Sequence, residues 1–226
     1  MKHSITAFIF TGLLISCNSS DKTNTPTENF IEIETKAKSI SIDSGKALQS
    51  IATDADLIAT ALLAAPKASR SESKVIGYNM KGEFVTLKEG TNEFIILADN
   101  PNKSGFSAAC YHKDLEPFMA RGRVLKAEGK TPQDIFEIRE EEMKSGALKI
   151  TTGATLHIYS GAKTEFNPET FKVDGAKLRY VVYMPFATSA STGLPEAPAA
   201  SNHPWIMNPG THRAHIMISP LPEENN

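Results

Sequence analysis

Apolar positions recur at helical spacing early in the chain. Leu48, Ile51, Ala55, Ile58 and Leu62 follow one another at three- and four-residue steps, which predicts one face of an α-helix. Asp54 and Asp56 suit a first turn, so the helix starts either near Ser44 or at these acids. Pro66 ends it. Lys74 to Tyr78 and Glu83 to Leu87 then flank Asn79-Met80-Lys81-Gly82 and predict a hairpin. Phe94 to Leu97 is a short apolar strand, and Asp99 to Gly105, with Asn-Pro and Ser-Gly, is a loop.

The middle of the chain reads as helical. Leu115, Phe118, Met119, Val124 and Leu125 lie in a segment that Gly129 closes. Thr131-Pro132-Gln133-Asp134 opens a second helix with a capping residue followed by Pro. Ile135, Ile138, Glu142 and Met143 give that helix one edge, and Glu140-Glu141-Glu142 is expected to face solvent. Strand patterns return at Thr155 to Ser160, Leu178 to Pro185 and Ala214 to Ser219, with a Pro- and Ala-rich loop from Ser189 to Pro204. Helices grouped in the middle, with strands on either side, predict an α+β fold. It is a single domain with an antiparallel sheet.

The N-terminus departs from this pattern. Lys2 and His3 precede an apolar run, Ile5 to Ile15, that is shorter than the ~20 residues of a membrane-spanning helix. A basic start before a short apolar run predicts a signal peptide over residues 1–16. Leu14-Ile15-Ser16-Cys17, which closes it, resembles the lipobox of bacterial lipoproteins. The resemblance implies cleavage before Cys17 and a diacylglycerol, with palmitate-type chains, on its sulfur. Each buried methylene contributes about 0.8 kcal/mol, so two or three chains hold firmly. Asn18 to Asn29 has no apolar residue to drive ordering and predicts a flexible tether that reaches about 40 Å when extended. Residues 17–29 are thus anchor and tether, and 30–226 the globular domain. The expected partner is a membrane, through the lipid on Cys17. The location is the cell envelope, on the outer membrane or periplasmic face.

Composition narrows the partners. The formal net charge of −2 is too balanced for a nucleic-acid binder. A small-molecule or protein partner stays open. The two cysteines are Cys17 and Cys110. With Cys17 lipidated, Cys110 is a buried small side chain, a reactive thiol or a ligand.

Two stretches are dense in chemistry. One runs Ala109-Cys110-Tyr111-His112-Lys113-Asp114-Leu115-Glu116-Pro117-Phe118-Met119-Ala120-Arg121-Gly122-Arg123. The other runs Pro204-Trp205-Ile206-Met207-Asn208-Pro209-Gly210-Thr211-His212-Arg213-Ala214-His215-Ile216-Met217-Ile218. With Gly90-Thr91-Asn92 and the segments Tyr180 to Pro185 and Ser191 to Pro195, they resemble an uncharacterised family of exported bacterial proteins. That resemblance covers Asp54 to Ser219 and implies no activity. It implies a cysteine near Ile96 in relatives, able to pair with the one matching Cys110. It also favours His215 over His203 and His212 as a site residue.

His112 and Glu116 are four apart and would share a helix face, with His112 as general base and Glu116 or Asp114 orienting it. Pro117 argues that His112 precedes the helix instead and is simply hydrogen-bonded to Glu116. Arg121 and Arg123 fit a carboxylate or phosphate, or serve as ion-pair partners of Glu116 or Asp99. Trp205 is a further candidate ligand contact. No metal motif, phosphate loop or nucleophile elbow is present, so no metal or cofactor is expected. His212 and His215 would point oppositely along a regular strand.

Two functions fit. One is a lipid-anchored, non-catalytic binding or scaffold module. The other is a small hydrolase or metal-assisted enzyme centred on Cys110, His112, Glu116 and His215. The two dense stretches are expected to dock through Phe118, Met119, Trp205, Ile206 and Met207, with Glu116 holding Arg121.

Overall fold

The computed structural model describes residues 47–219. The leader, Cys17, the tether and the start of the globular segment lie outside the described residues. An eight-stranded sheet organises the rest. Its strands are β2 (Lys74–Tyr78), β3 (Phe84–Lys88), β4 (Phe94–Leu97), β5 (Phe106–His112), β6 (Thr155–Gly161), β8 (Lys177–Tyr183), β9 (Trp205–Met207) and β10 (His215–Ile218). Their order is β3-β2-β4-β5-β6-β8-β10-β9. Every pairing is antiparallel except β2 with β4, which is parallel. A separate two-stranded ribbon pairs β1 (Gln49–Ser50) with β7 (Glu165–Phe166). The α+β class and the mostly antiparallel sheet agree with the sequence pattern.

The parallel pairing has a local cause. Gly90 lies so close to the start of β2 that a Cβ there would sit 2.2 Å from the Lys74 amide nitrogen. Thr91 and Asn92 both donate backbone N–H groups to the Glu72 carbonyl, and Asn92 Nδ2 donates to the Ser69 carbonyl. This clamp carries the chain over the end of β2 and lays β4 on its far side. Gly90-Thr91-Asn92 is therefore explained by backbone approach.

Helices cover both faces. α1 (Asp54–Ala61) is capped by Thr53, whose hydroxyl accepts from the Asp56 N–H while Asp56 reaches back to Thr53. This capping box fixes the start at the acids. Leu48 lies outside the helix and is exposed, and β1 takes the next two residues. The buried face is Leu57, Ala61 and, in the following 3-10 turn, Ala64. It packs with Val75, Ile96, Phe106, Ala108 and Cys110 on one side of the sheet.

α2 (Glu116–Ala127) and α3 (Pro132–Ser145) lie between β5 and β6 in the chain and cover the other side. There Leu115 and Phe118 join Tyr111, Leu156, Val181, Tyr183 and Met217, with Met119 and Trp205 against them. The two dense stretches do meet, in this core. Thr131 and Asp134 form a second capping box, and Gly146 ends α3 in the left-handed conformation at φ 80°. A short helix, α4 (Ser189–Thr192), interrupts the long loop before β9.

β5, like the shorter β1, β7 and β9, is a strand that the apolar pattern did not reveal. It lies near the middle of the sheet and is covered on both faces. Ser107, Ala108 and Ala109 therefore form a strand despite weak β preference.

Candidate functional site

The β5–α2 corner gathers most of the residues singled out above. His112 ends β5 and accepts from the Asp114 N–H through Nδ1 at 3.3 Å. Its Nε2 lies 3.9 Å from Glu93. A 3-10 turn, Lys113–Leu115, separates it from α2, so His112 and Glu116 do not share a helix face. Glu116 instead accepts the Tyr111 hydroxyl at 2.6 Å and pairs with Arg123. Arg123 also lies over the Phe84 ring, 5.5 Å from its centroid. Arg121 makes a forked pair with Glu142, Nε at 2.8 Å and Nη2 at 2.6 Å from Oε1. The expected Glu116–Arg121 pair is therefore replaced by two others, because Arg121 and Arg123, two residues apart, lie about 200° apart around α2, the one towards α3 and the other back at β5. Asp99 holds the Ser107 N–H at 3.0 Å and takes neither arginine. Trp205, half-buried, packs on the α2-side core.

Two open concavities flank this corner. One, of about 300 Å³, is lined by Phe94, His112, Asp114 and residues 151–155. The other, of about 660 Å³, is lined by Ile95, Lys113, Asp114, Glu116, Pro117 and Thr151.

Cys110, His112, Glu116 and His215 do not converge. Cys110 is 1% exposed and lies in the α1-side core. His112 follows it at two residues on the same face, edge-on to Phe94. Glu116 and His215 lie on the α2 side. β5 and β10 are three strand steps apart, about 14 Å. A shared proton transfer between His112 and His215 is out of hydrogen-bond reach.

Burial pushes the Cys110 thiol up to about 12, which removes the thiolate at neutral pH. It has no disulfide partner among the described residues. Thiol labelling of the native protein is therefore expected to be slow and to accelerate on unfolding. Fast labelling of the folded chain would contradict this burial. Directly opposite Cys110 on β4 is Ile96, the position where the resemblance implies a cysteine.

A second group of polar side chains lies between α3 and β10. Arg139 is buried, its guanidinium 4.0 Å above the Phe118 ring centroid and Nη1 donating to the Phe118 carbonyl at 3.3 Å. Gly122 makes room for it, since a Cβ there would stand 3.0 Å from Nη1. His212 is fully buried between Phe118 and Phe136, with ring centroids at 5.8 and 4.7 Å. Its Nδ1 is 3.5 Å from Glu140. His215 Nδ1 donates to the Arg213 carbonyl at 2.7 Å, which leaves Nε2 as the bare nitrogen of the neutral ring. His212 belongs to the turn before β10, so both histidines come to the α2 side rather than opposing. Tyr183 stacks obliquely on His215 and edge-on to Phe118. One signal was legible: Arg139 sits four residues after Ile135 and four before Met143, an apolar position of the α3 period. The acidic run is not uniformly solvated either. Glu140 pairs with Lys144 and His212, Glu142 with Arg121, and only Glu141 is exposed.

No family model, curated protein or solved structure matches this chain.

Burial holds His157, His212 and His215 below the ordinary imidazole value of 6.5. Glu140 opposes the shift at His212, while Arg139 and Arg213 add to it. As pH falls below 6.5 the unfolded chain takes up protons that the folded chain still refuses. The histidines' stabilisation is therefore complete above 6.5 and is lost as pH falls through the folded values. Asp99, raised above 3.8 by burial, acts in the opposite sense, its share lost as pH rises. The urea midpoint is expected to drop between pH 7.5 and 5.5. A midpoint that rises on acidification would contradict the burial of these rings.

Proposed function

We propose that this chain is a lipid-anchored protein of the bacterial cell envelope, acting there as a non-catalytic binding module. The observation that carries the non-catalytic part is the separation described above. Cys110 is in one core, His112 at a sheet end, Glu116 committed to Tyr111 and Arg123, and His215 three strands from His112. Among the described residues no helix is long and apolar enough to cross a membrane. The anchor rests on Leu14-Ile15-Ser16-Cys17 after a short apolar run, and the tether on the polar stretch that follows. Two or three acyl chains make detachment negligible, whereas one would exchange.

Membrane fractionation of Cys17→Ala tests the reading. The variant is expected to keep its leader or to leave the membrane fraction, while the parent chain sediments with membranes. A variant that matures and sediments like the parent would overturn the anchor.

A further inference from the structure

Two arginines and two histidines gather between α3 and β10 with too few acids to match them. We propose that this cluster, Arg139 and Arg213 with Tyr183, His212 and His215, is the ligand site of the module and takes a small oxyanion of the phosphate class. The proposal rests on the binding reading above and deepens it.

The first argument is charge. Each nearby carboxylate is already engaged. Glu142 gives one oxygen twice and the other once to Arg121. Glu140 holds the Lys144 ammonium at 2.7 Å and His212 at 3.5 Å. Among the described residues neither Arg139 nor Arg213 has a salt bridge. Burial first, and then the charge of Arg213, lower the Arg139 proton affinity to about 10. A buried cation facing another cation is costly unless an anion joins them.

The second argument is unmet hydrogen bonding. Arg139 Nε and His212 Nε2 are buried and have no hydrogen-bond partner among the described residues. Buried polar groups are almost always paired, so two orphans in one cluster call for an occupant. Arg139 offers a donor. His212 Nε2, bare while Nδ1 donates to Glu140, accepts from a protonated phosphate oxygen. Tyr183, packed against the Phe118 and His215 rings, brings a phenol to the group. Arg213 is only half-buried and so lies on the solvent side of the group.

The third argument is selectivity. Planar guanidinium forks match the oxygens of phosphate or carboxylate two at a time. A metal cation would meet two fixed positive charges here. A nucleic acid would need a broad basic surface, which a chain of net charge −2 lacks.

The test is calorimetric titration of inorganic phosphate into the full-length chain in neutral detergent, at constant ionic strength. Saturable one-to-one binding is expected, weakened about tenfold or more by Arg213→Ala, the loss of one charge-assisted contact. Lys163→Ala, which removes a surface partner of Asp174, should leave binding unchanged. No saturable heat, or equal binding by Arg213→Ala, would overturn the site. A phosphate-soaked crystal with water alone on Arg139 Nε would overturn it as well. Para-nitrophenyl phosphate separates the two readings. Competition without release of nitrophenolate supports both. Release that Arg213→Ala abolishes supports the oxyanion site and overturns the non-catalytic reading. Phosphatidylglycerol vesicles that displace phosphate would assign a lipid headgroup as the source, and vesicles that do not would assign a free anion. Cys17→Ala fractionation is independent of all these outcomes, so a failed titration leaves the anchor standing.

Discussion

Phe118→Ala is expected to destabilise the fold by about 3–5 kcal/mol, the usual cost of emptying a buried aromatic site. Phe118 is 1% exposed and is the hub of the α2-side core. Its ring meets Tyr183 and His212 edge-on, at 5.9 and 5.8 Å, and carries the Arg139 guanidinium on its face. Removing it opens a hole that α2, held by Gly122 against Arg139 and by Arg121 against Glu142, cannot close by collapsing. It also takes away the apolar face that shields a buried cation. Phe118→Leu should lose less, because most of the volume stays. Denaturant midpoints of the two variants check the order. A loss under about 1 kcal/mol for Phe118→Ala would mean that the dense stretches do not share this core.

Glu116→Ala is expected to cost roughly 2–3 kcal/mol through two stranded partners. Tyr111 is fully buried and donates its hydroxyl to Glu116 at 2.6 Å. Arg123 loses its carboxylate and keeps only the Tyr111 oxygen at 3.4 Å and the Phe84 face. The cost stays below that of a fully buried pair because the Arg123 and Glu116 side chains keep 25% and 31% of their exposure. Glu116→Gln should recover part of the loss, since an amide oxygen still accepts from Tyr111. Equal midpoints for the parent, Ala and Gln forms would contradict this role.

Much of the fold was legible where spacing and caps agree. Thr131-Pro132 with Asp134 announces α3, and Asn79 to Gly82 between two apolar runs announces the β2–β3 hairpin. The pattern failed where tertiary burial overrode local preference. β5 carries small residues and is a strand because its neighbours are. Leu48 kept helical spacing but lies before a cap that starts the helix later. The site was less legible. Pairing partners depend on which helix faces which, so Glu116 and Arg121 looked like partners and are not. His212 was passed over because the resemblance favours His215 and because a regular strand would turn the two apart, whereas the turn at residues 208–214 brings both to one side. Arg139 left a trace only as a charged residue in an apolar position.

The binding reading depends most on His112 and His215 not sharing a site. A chain with Cys17→Ser and Cys110→Ser that carries His112→Cys and His215→Cys tests this directly. A disulfide needs Cα atoms within about 7 Å, and three strand steps place these about 14 Å apart. Mild oxidation is expected to leave both thiols free within the folded monomer. Rapid formation of an intramolecular 112–215 disulfide would contradict the account.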